Sequence, residues 1–452
     1  MTKPVNTREI VLETLLESTN DEKQIQTNTL LRNVLDKYQY LDQKDRAFIH
    51  KIVTGTTEYR IYLDYVIEQF STVKINKMKP VIRTLLRMSV YQLLFMDGVP
   101  SSAVCNEAVK LAEKKKFFNL KGFVNGVLRN IDRKRTEIKM PDAKKEPLLY
   151  LSIKYSMPLW IVTEFSKQYG YAHTEQILKA FLKERPTIIR ANRSRVTKEE
   201  LIHKLETEGV HVSLIEDVEE AMIISGYDHV GAIEAFREGL FLVQDLSSVL
   251  VGRIAAVKKQ DYVVDVCAAP GGKSLHIADL LNGTGCVDAR DLTQKKVDLI
   301  NENIRRCQFK NIKTSCHPAQ ETDDTLIEQA DIVIADLPCS GLGVIGRKSD
   351  IKYHISKEKQ AEIVSLQRSI LHTVQAYVKP GGTLIFSTCT MSRAENQDNL
   401  KWVLENYPYQ SESLEPYLPA RFHNSDTKNG YLQLLPGDFD TDGFFMARIK
   451  KM

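Results

Sequence analysis

The chain has no Cys-x-x-Cys pair. Its seven cysteines stand at irregular spacing, which argues against a disulfide framework and a structural zinc site and fits a reducing, cytoplasmic setting. No apolar run approaches the roughly 18 residues that a membrane helix needs. The opening Met1-Thr-Lys-Pro-Val-Asn6 lacks the apolar core of a signal peptide. These absences lead us to expect a cytoplasmic protein with neither a metal nor a membrane partner. A 43% hydrophobic content across 452 residues is ample for packed cores. At about 100–200 residues per domain it makes two to four of them.

Charge is unevenly spread. Residues 1–145 hold 26 Lys and Arg against 17 Asp and Glu, a local +9, which leaves −5 for the rest of a chain whose net charge is +4. A basic front attached to a slightly acidic back is the pattern of a nucleic-acid-binding module joined to a second activity. An ordinary solvated surface would look the same by charge alone.

Residues 5–135 read as almost wholly helical, in short segments with short connections, which predicts an all-α bundle. Thr7 is placed to cap Arg8–Glu17, whose apolar positions 11, 12, 15 and 16 share a face. Asp42 or Asp45 opens the segment through Val53. Pro80 begins a helix to Phe95, Asp97-Gly-Val-Pro100 stops it, Ser102 starts another to Lys116, and Val124–Ile131 belongs to the last. Lys114-Lys-Lys-Phe-Phe118 and Arg133-Lys-Arg135 are clusters suited to phosphate neutralisation. Phe117 and Phe118 are expected in the core rather than stacked on bases. Residues 136–147, with two prolines and mixed charge, read as a linker. Beyond it, a helix near 158–165, strands at 187–192, 210–215 and 221–224, and a helix at 197–208 make a small α+β subdomain. Arg190, Arg193 and Arg195 alternate near a strand end and are candidates to face RNA.

The third unit alternates strands (262–267, 285–289, 331–335, 382–387) with helices (274–281, 293–306, 358–378), which predicts a doubly wound parallel sheet. Ligands in such sheets sit at the carboxyl ends of the strands. Three stretches fall there: Asp265-Val-Cys-Ala-Ala-Pro-Gly-Gly-Lys273, Asp336-Leu-Pro-Cys-Ser-Gly341 and Ser387-Thr-Cys-Thr390. The first reads as strand, Gly turn and helix, in which Gly271 and Gly272 allow close backbone approach to a ligand. Asp291, 18 residues past Lys273, is the expected partner for ribose hydroxyls. Without G-x-G-x-x-G, and with Pro270 lacking an N–H, the turn would serve a pyrophosphate poorly. S-adenosylmethionine is therefore expected over a dinucleotide. Asp265 either orients the turn or is a buried structural carboxylate.

Five cysteines, at 105, 267, 286, 307 and 316, are read as small buried hydrophobes. Cys339 and Cys389, 50 residues apart, each end a strand at the catalytic edge. A thiolate beside a methyl donor points to covalent activation of an electron-poor ring, because pyrimidine C5 is not nucleophilic until something adds at C6.

Two resemblances follow. Lys44-Asp-Arg-Ala-Phe48, the stop at Gly98-Val-Pro100, and Phe123-Val-Asn-Gly-Val-Leu-Arg129 resemble the NusB family of RNA-binding helical domains. Ala268-Ala-Pro-Gly-Gly-Lys273, Asp336-Leu-Pro-Cys-Ser-Gly341, Ser387-Thr-Cys-Thr390 and Gly343–Tyr353 resemble the NOL1/NOP2/Sun family of RNA 5-methylcytosine methyltransferases, and the two together look like its bacterial 16S ribosomal RNA branch. The resemblance implies a NusB-like domain over 1–140, a linker with a small α+β subdomain over 141–238, and a Rossmann-like methyltransferase domain over 239–452. It implies Cys389 as nucleophile on C6 of a flipped cytosine, Cys339 as the group that helps remove the C5 proton, and Asp336 as the holder of the base. Cys267, Ala268, Ala269, Pro270, Gly271, Gly272, Lys273, Asp291 and Asp336 would hold S-adenosylmethionine, with Lys273 a site-shaping cation. 16S ribosomal RNA would be the partner and the chain would act as a monomer. The chain departs from the family at Leu337, usually Ala, and at Pro318, where an Asp usually meets the adenine end. Asp323, Asp324 or a backbone group would substitute for that Asp. A transfer-RNA substrate, a DNA-type enzyme using Cys339 as nucleophile, and a non-catalytic RNA assembly factor are the competing readings.

Overall fold

The computed structural model describes residues 6–19 and 26–452. The signal-peptide reading of the first residues lies largely outside them. No helix among the described residues is long and apolar enough to cross a membrane.

The chain forms two units. One is the helical chain to Leu182 together with Arg347–His354. Its first helix, Thr7–Ser18, is capped by Asn6, which accepts from Glu9 N at 3.1 Å. Thr7, the expected cap, is already the first helical residue, and Asn is the stronger cap. Asp42 caps Gln43–Glu58. Pro80–Phe95 starts at its proline, as its pattern indicates, and is buried along most of its length. Ser101–Lys114 and Lys121–Arg133 complete the bundle around Leu12, Ile52, Leu63, Leu85 and Leu128. Phe117 packs against this core, but Phe118 is 59% exposed, contrary to the expectation that both are core residues. Helices Pro147–Lys154, Leu159–Tyr169 and Tyr171–Phe181 belong to the same unit. Arg347–His354 is embedded in it. Thr27 N donates to Asp350 Oδ2 at 2.7 Å, Lys352 Nζ to Glu58 O at 2.7 Å and Tyr353 OH to Thr57 O at 2.9 Å.

The second unit, Lys183–Gly346 with Ile355–Met452, carries two sheets. The smaller is antiparallel: β1 (Thr187–Ala191), β2 (His211–Leu214), β3 (Ala221–Ser225) and β4 (Phe241–Val243), in the order β2-β3-β1-β4. Helix Lys198–Thr207, with a Thr197/Glu200 capping box, packs on it through Leu201 and Leu205. Arg190 does not face RNA. It is 0% exposed and pairs with Asp279 at 2.8 Å. An outward reading fails because β1 alternates between two covered faces.

The larger sheet comprises β5 (Tyr262–Asp265), β6 (Cys286–Asp291), β7 (Ile312–Cys316), β8 (Ala330–Asp336), β9 (Val378–Thr388), β10 (Tyr409–Ser411), β11 (Tyr431–Leu434) and β12 (Phe444–Lys451). Its order is β10-β12-β9-β8-β5-β6-β7, with β11 also on β12. β5 to β9 pair in parallel, and β12 runs antiparallel to β9. The sheet is thus mixed rather than wholly parallel. Chain order reverses between β6 and β8 on either side of β5, which opens a crevice at the carboxyl ends of β5 and β8.

Candidate active site

β5 delivers Asp265 into the crevice. The following turn, Val266–Gly271, is tied down by its own backbone and by β6. Gly271 N donates to Ala268 O at 2.6 Å, Ala268 N to Arg290 O at 2.9 Å, and Ala269 N to Asp291 Oδ2 at 2.9 Å. Gly271 has φ +103°, and a Cβ there would meet Leu275 at 2.7 Å, so glycine is required. It caps helix Gly272–Leu280 without a side-chain hydrogen bond, which leaves the helix N-terminus open toward the crevice. Asp265 is fully buried. Its Oδ2 accepts from Ser274 Oγ at 2.6 Å, and its Oδ1 has no hydrogen-bond partner. Burial pushes this carboxyl up to about 7. An unpartnered buried oxygen beside an uncapped helix start is a polar cradle suited to a nucleoside-type cofactor bearing an amino-acid end.

Asp291 is almost wholly buried and already in use: Oδ1 accepts from Leu292 N at 2.7 Å and Lys296 Nζ at 2.9 Å, while Oδ2 holds Ala269 N. It stitches the end of β6 to the glycine turn and keeps one acceptor site on Oδ2. Asp323 is bound to Arg290 at 2.8 Å and caps Thr325, whose hydrogen bond, with Arg290, holds it down to about 2. It is tied into the fold through Arg290 and Thr325. Cys267 is no reactive thiol, since burial pushes it far up.

The two remaining motifs meet through sheet register. Asp336 on β8 is aligned with Ser387 on β9, so both cysteine loops leave the sheet side by side. Cys339 Sγ and Cys389 Sγ lie 3.1 Å apart, both half-buried. Asp336 presents a bridged carboxylate: Lys273 Nζ donates to Oδ2 at 2.6 Å and Ser387 Oγ to Oδ1 at 2.7 Å. Lys273 also lies 5.4 Å from the centroid of the Phe444 ring. Burial lowers its affinity for a proton, but Asp336 outweighs this, with Asp265 and Cys389 adding to it, and the ammonium is held above its ordinary range. The Cys339 thiol is driven well up by its hydrogen bond to Cys389, by burial and by the charges of Cys389 and Glu395.

Three groups went unnoticed in the sequence. Glu395, fully buried, accepts from Ser340 N at 2.8 Å. Asn396 donates to Thr390 O at 3.0 Å and accepts from Thr388 Oγ1 at 2.6 Å, clasping both sides of Cys389. Gln367 donates to Pro338 O at 2.9 Å. Polar side chains six and seven residues past a strand-end cysteine were the one available signal. Gly343 closes the arrangement. Its N–H donates to Cys389 O at 3.0 Å, and a Cβ there would lie 1.8 Å from Gly443 O. Among the described residues no cluster of three or more His, Cys, Asp or Glu is placed to hold a metal.

A central strand leading into a glycine turn, a reversed strand order and an added antiparallel strand define a Rossmann-like methyltransferase domain, here carrying a thiol pair. Family comparison agrees. Residues 253–450 match the profile of the 16S rRNA methyltransferase RsmB/F family, residues 5–133 the NusB family, and residues 157–230 the RsmF/B-like ferredoxin-like domain. A probable ribosomal RNA small subunit methyltransferase B of Bacillus subtilis (strain 168) is 36% identical over 99% of both chains. One from Synechocystis is 32% identical over 94% of this chain and 95% of that one. The crystal structure of PH0851, 25% identical, covers both chains fully with a TM-score of 0.82. The chain belongs to the RsmB/F family of 16S rRNA methyltransferases.

Proposed function

We propose that this chain methylates C5 of a cytosine in 16S ribosomal RNA through a temporary bond between Cys389 and C6 of the base. The observation that carries the reading is the 3.1 Å contact of the two sulfurs beside the Asp336 carboxylate. S-adenosylmethionine, held by Cys267 to Lys273, Asp291 and Asp336, supplies an electrophilic methyl group when bound. Cys389 is the better nucleophile of the pair because it lies within electrostatic reach of the Lys273 ammonium, while Cys339 is held protonated. The Cys389 sulfur adds to C6, and Asp336 holds N3 and the exocyclic amine as charge enters the ring. C5 becomes an enamine-type carbon and accepts the methyl.

Once the Cys389 sulfur is bonded it no longer carries charge, so both its hydrogen bond to Cys339 and its repulsion weaken. Cys339 then gives its own proton to solvent and, as a thiolate, takes the C5 proton. The C5=C6 bond re-forms, and the C6–S electrons return to Cys389. Residues 1–140 serve as the RNA-binding module, 141–238 as connector and small subdomain, and 239–452 as the catalytic domain.

RNA containing 5-fluorocytosine tests the assignment, because fluorine at C5 blocks the last step. An adduct that survives Cys339→Ala and disappears in Cys389→Ala is expected. The reverse pattern makes Cys339 the nucleophile and overturns the roles. Absence of heat on titrating S-adenosylmethionine, with and without RNA, would instead indicate a non-catalytic assembly factor, and a transfer-RNA product would move the substrate.

A further inference from the structure

The Cys339 loop is held by a carboxylate that comes from the other cysteine's loop. Glu395 lies six residues after Cys389 and is 0% exposed. Its Oε2 accepts from Ser340 N, the residue next to Cys339, at 2.8 Å. Gln367 Nε2 reaches the same oxygen at 3.4 Å and grips Pro338 O, on the other side of Cys339, at 2.9 Å. Gln360 Nε2 serves Oε1 at 3.2 Å. The loops are joined again where Ser340 Oγ meets Thr390 Oγ1 at 2.7 Å.

A buried carboxylate is costly unless its lone pairs are used, and this one is used on the Ser340 N–H of the Cys339 loop and on the amides of Gln360 and Gln367. A structural need for packing alone would be met by an apolar side chain. We propose that Glu395 is the positioning residue for Cys339, holding that thiol against the Cys389 sulfur so that it can take the C5 proton and free the enzyme from its product. This rests on the cysteine roles proposed above. Glu395 touches neither substrate nor cofactor. It acts only on the release half of the reaction, because its hydrogen bond goes to the Cys339 side of the pair.

The test uses the full chain, S-adenosylmethionine and unmodified small-subunit ribosomal RNA. It reads multiple-turnover methylation, the fraction of protein covalently attached to RNA on a denaturing gel, and S-adenosylmethionine affinity. Cys339→Ala sets the pattern for blocked release: methylated adduct accumulates and turnover stops. Glu395→Ala should reproduce it in part, with turnover down at least about 10-fold, adduct accumulating, and cofactor affinity within about 2-fold of the parent. Glu395→Gln keeps an acceptor for Ser340 N and should restore turnover to within a few-fold.

The proposal is overturned if Glu395→Ala turns over like the parent. It is equally overturned if both Glu395 variants lose turnover, adduct and cofactor binding together, which is the signature of a merely structural residue. If Cys339→Ala itself accumulates no adduct, the cysteine assignment has failed and the role of Glu395 fails with it.

Discussion

Replacing Arg190 by Leu separates two uses of one arginine. Its side chain runs from β1 to the last turn of helix Gly272–Leu280, with Nη1 on Asp279 Oδ2 at 2.8 Å and Nε on Gln244 Oε1 at 2.8 Å. Both ends of the ion pair are almost fully buried, at 1% and 3% side-chain exposure. At that distance the gross attraction is on the order of 6 kcal/mol with an effective dielectric near 20. Desolvation offsets much of it, but the penalty falls on whichever charge is left alone. Asp279 would keep Arg193 N, Ser194 N and Ser194 Oγ as donors and lose the Arg190 guanidinium. Breaking a buried pair from one side costs about 3–5 kcal/mol. With a urea slope of about 3 kcal/mol/M, the unfolding midpoint should fall by roughly 1–1.7 M. The chain has two tryptophans, Trp160 and Trp402, one in each unit. In a Trp160→Phe background, fluorescence therefore follows the second unit alone. Ribosomal RNA affinity, measured well below the shifted midpoint, should stay within about 2-fold of the parent. A midpoint that moves by less than about 0.3 M, together with weakened RNA binding, would refute the buried-tie account.

Three further outcomes are expected. Asp265 holds its proton up to about 7 in the folded chain, against an ordinary 3.8. Its contribution to stability is therefore complete below the ordinary value and is lost as pH rises toward about 7, so Asp265→Asn should gain on the parent by about 3 kcal/mol between pH 5 and 8. Urea unfolding at the two pH values checks this, and a constant difference contradicts it. Gly343→Ala puts a methyl into Gly443 O and 2.8 Å from Cys389 O, and since backbone cannot yield it should displace the Cys389 loop. Turnover should fall about 100-fold with S-adenosylmethionine affinity unchanged, and normal turnover would show the loop to be tolerant. Lys116 and Arg133 are exposed and, among the described residues, no carboxylate pairs with them, whereas Lys114 and Lys115 are paired with Glu9 and Glu13. Changing Lys116 and Arg133 to Ala should lower the salt slope of RNA binding by about one to two, and an unchanged slope places the RNA elsewhere. Point changes are the right tool here, since deleting 1–140 would strip Lys352 and Tyr353 of Glu58 and Thr57.

The strand, glycine turn and helix of 262–280 were legible because each signal lies within a few residues: β-formers, then Gly271 and Gly272, then helical spacing. The bundle was legible for the same reason, to within one residue at its first cap. β7 was missed because Ile312–Cys316 is a half-exposed, polar strand with little alternation. β10, β11 and β12 were missed because antiparallel addition to β9 is a pairing between distant segments, which no local pattern records.

Local chemistry alone nominated Cys339 and Cys389, since each stands at the end of a strand where a ligand is expected, and the family resemblance added Asp336. It also nominated Arg190 for RNA, and there it failed, because exposure is decided by what covers a strand and not by the residue upon it. That the two sulfurs touch, that Lys273 closes on Asp336, and that Glu395 reaches across to Ser340 were decided by the β8–β9 register and by burial. Turn and helix propensities act between chain neighbours and can be read in order. The alignment of residues some 50 positions apart, and the desolvation that forces buried charges to find partners, exist only once the chain has folded.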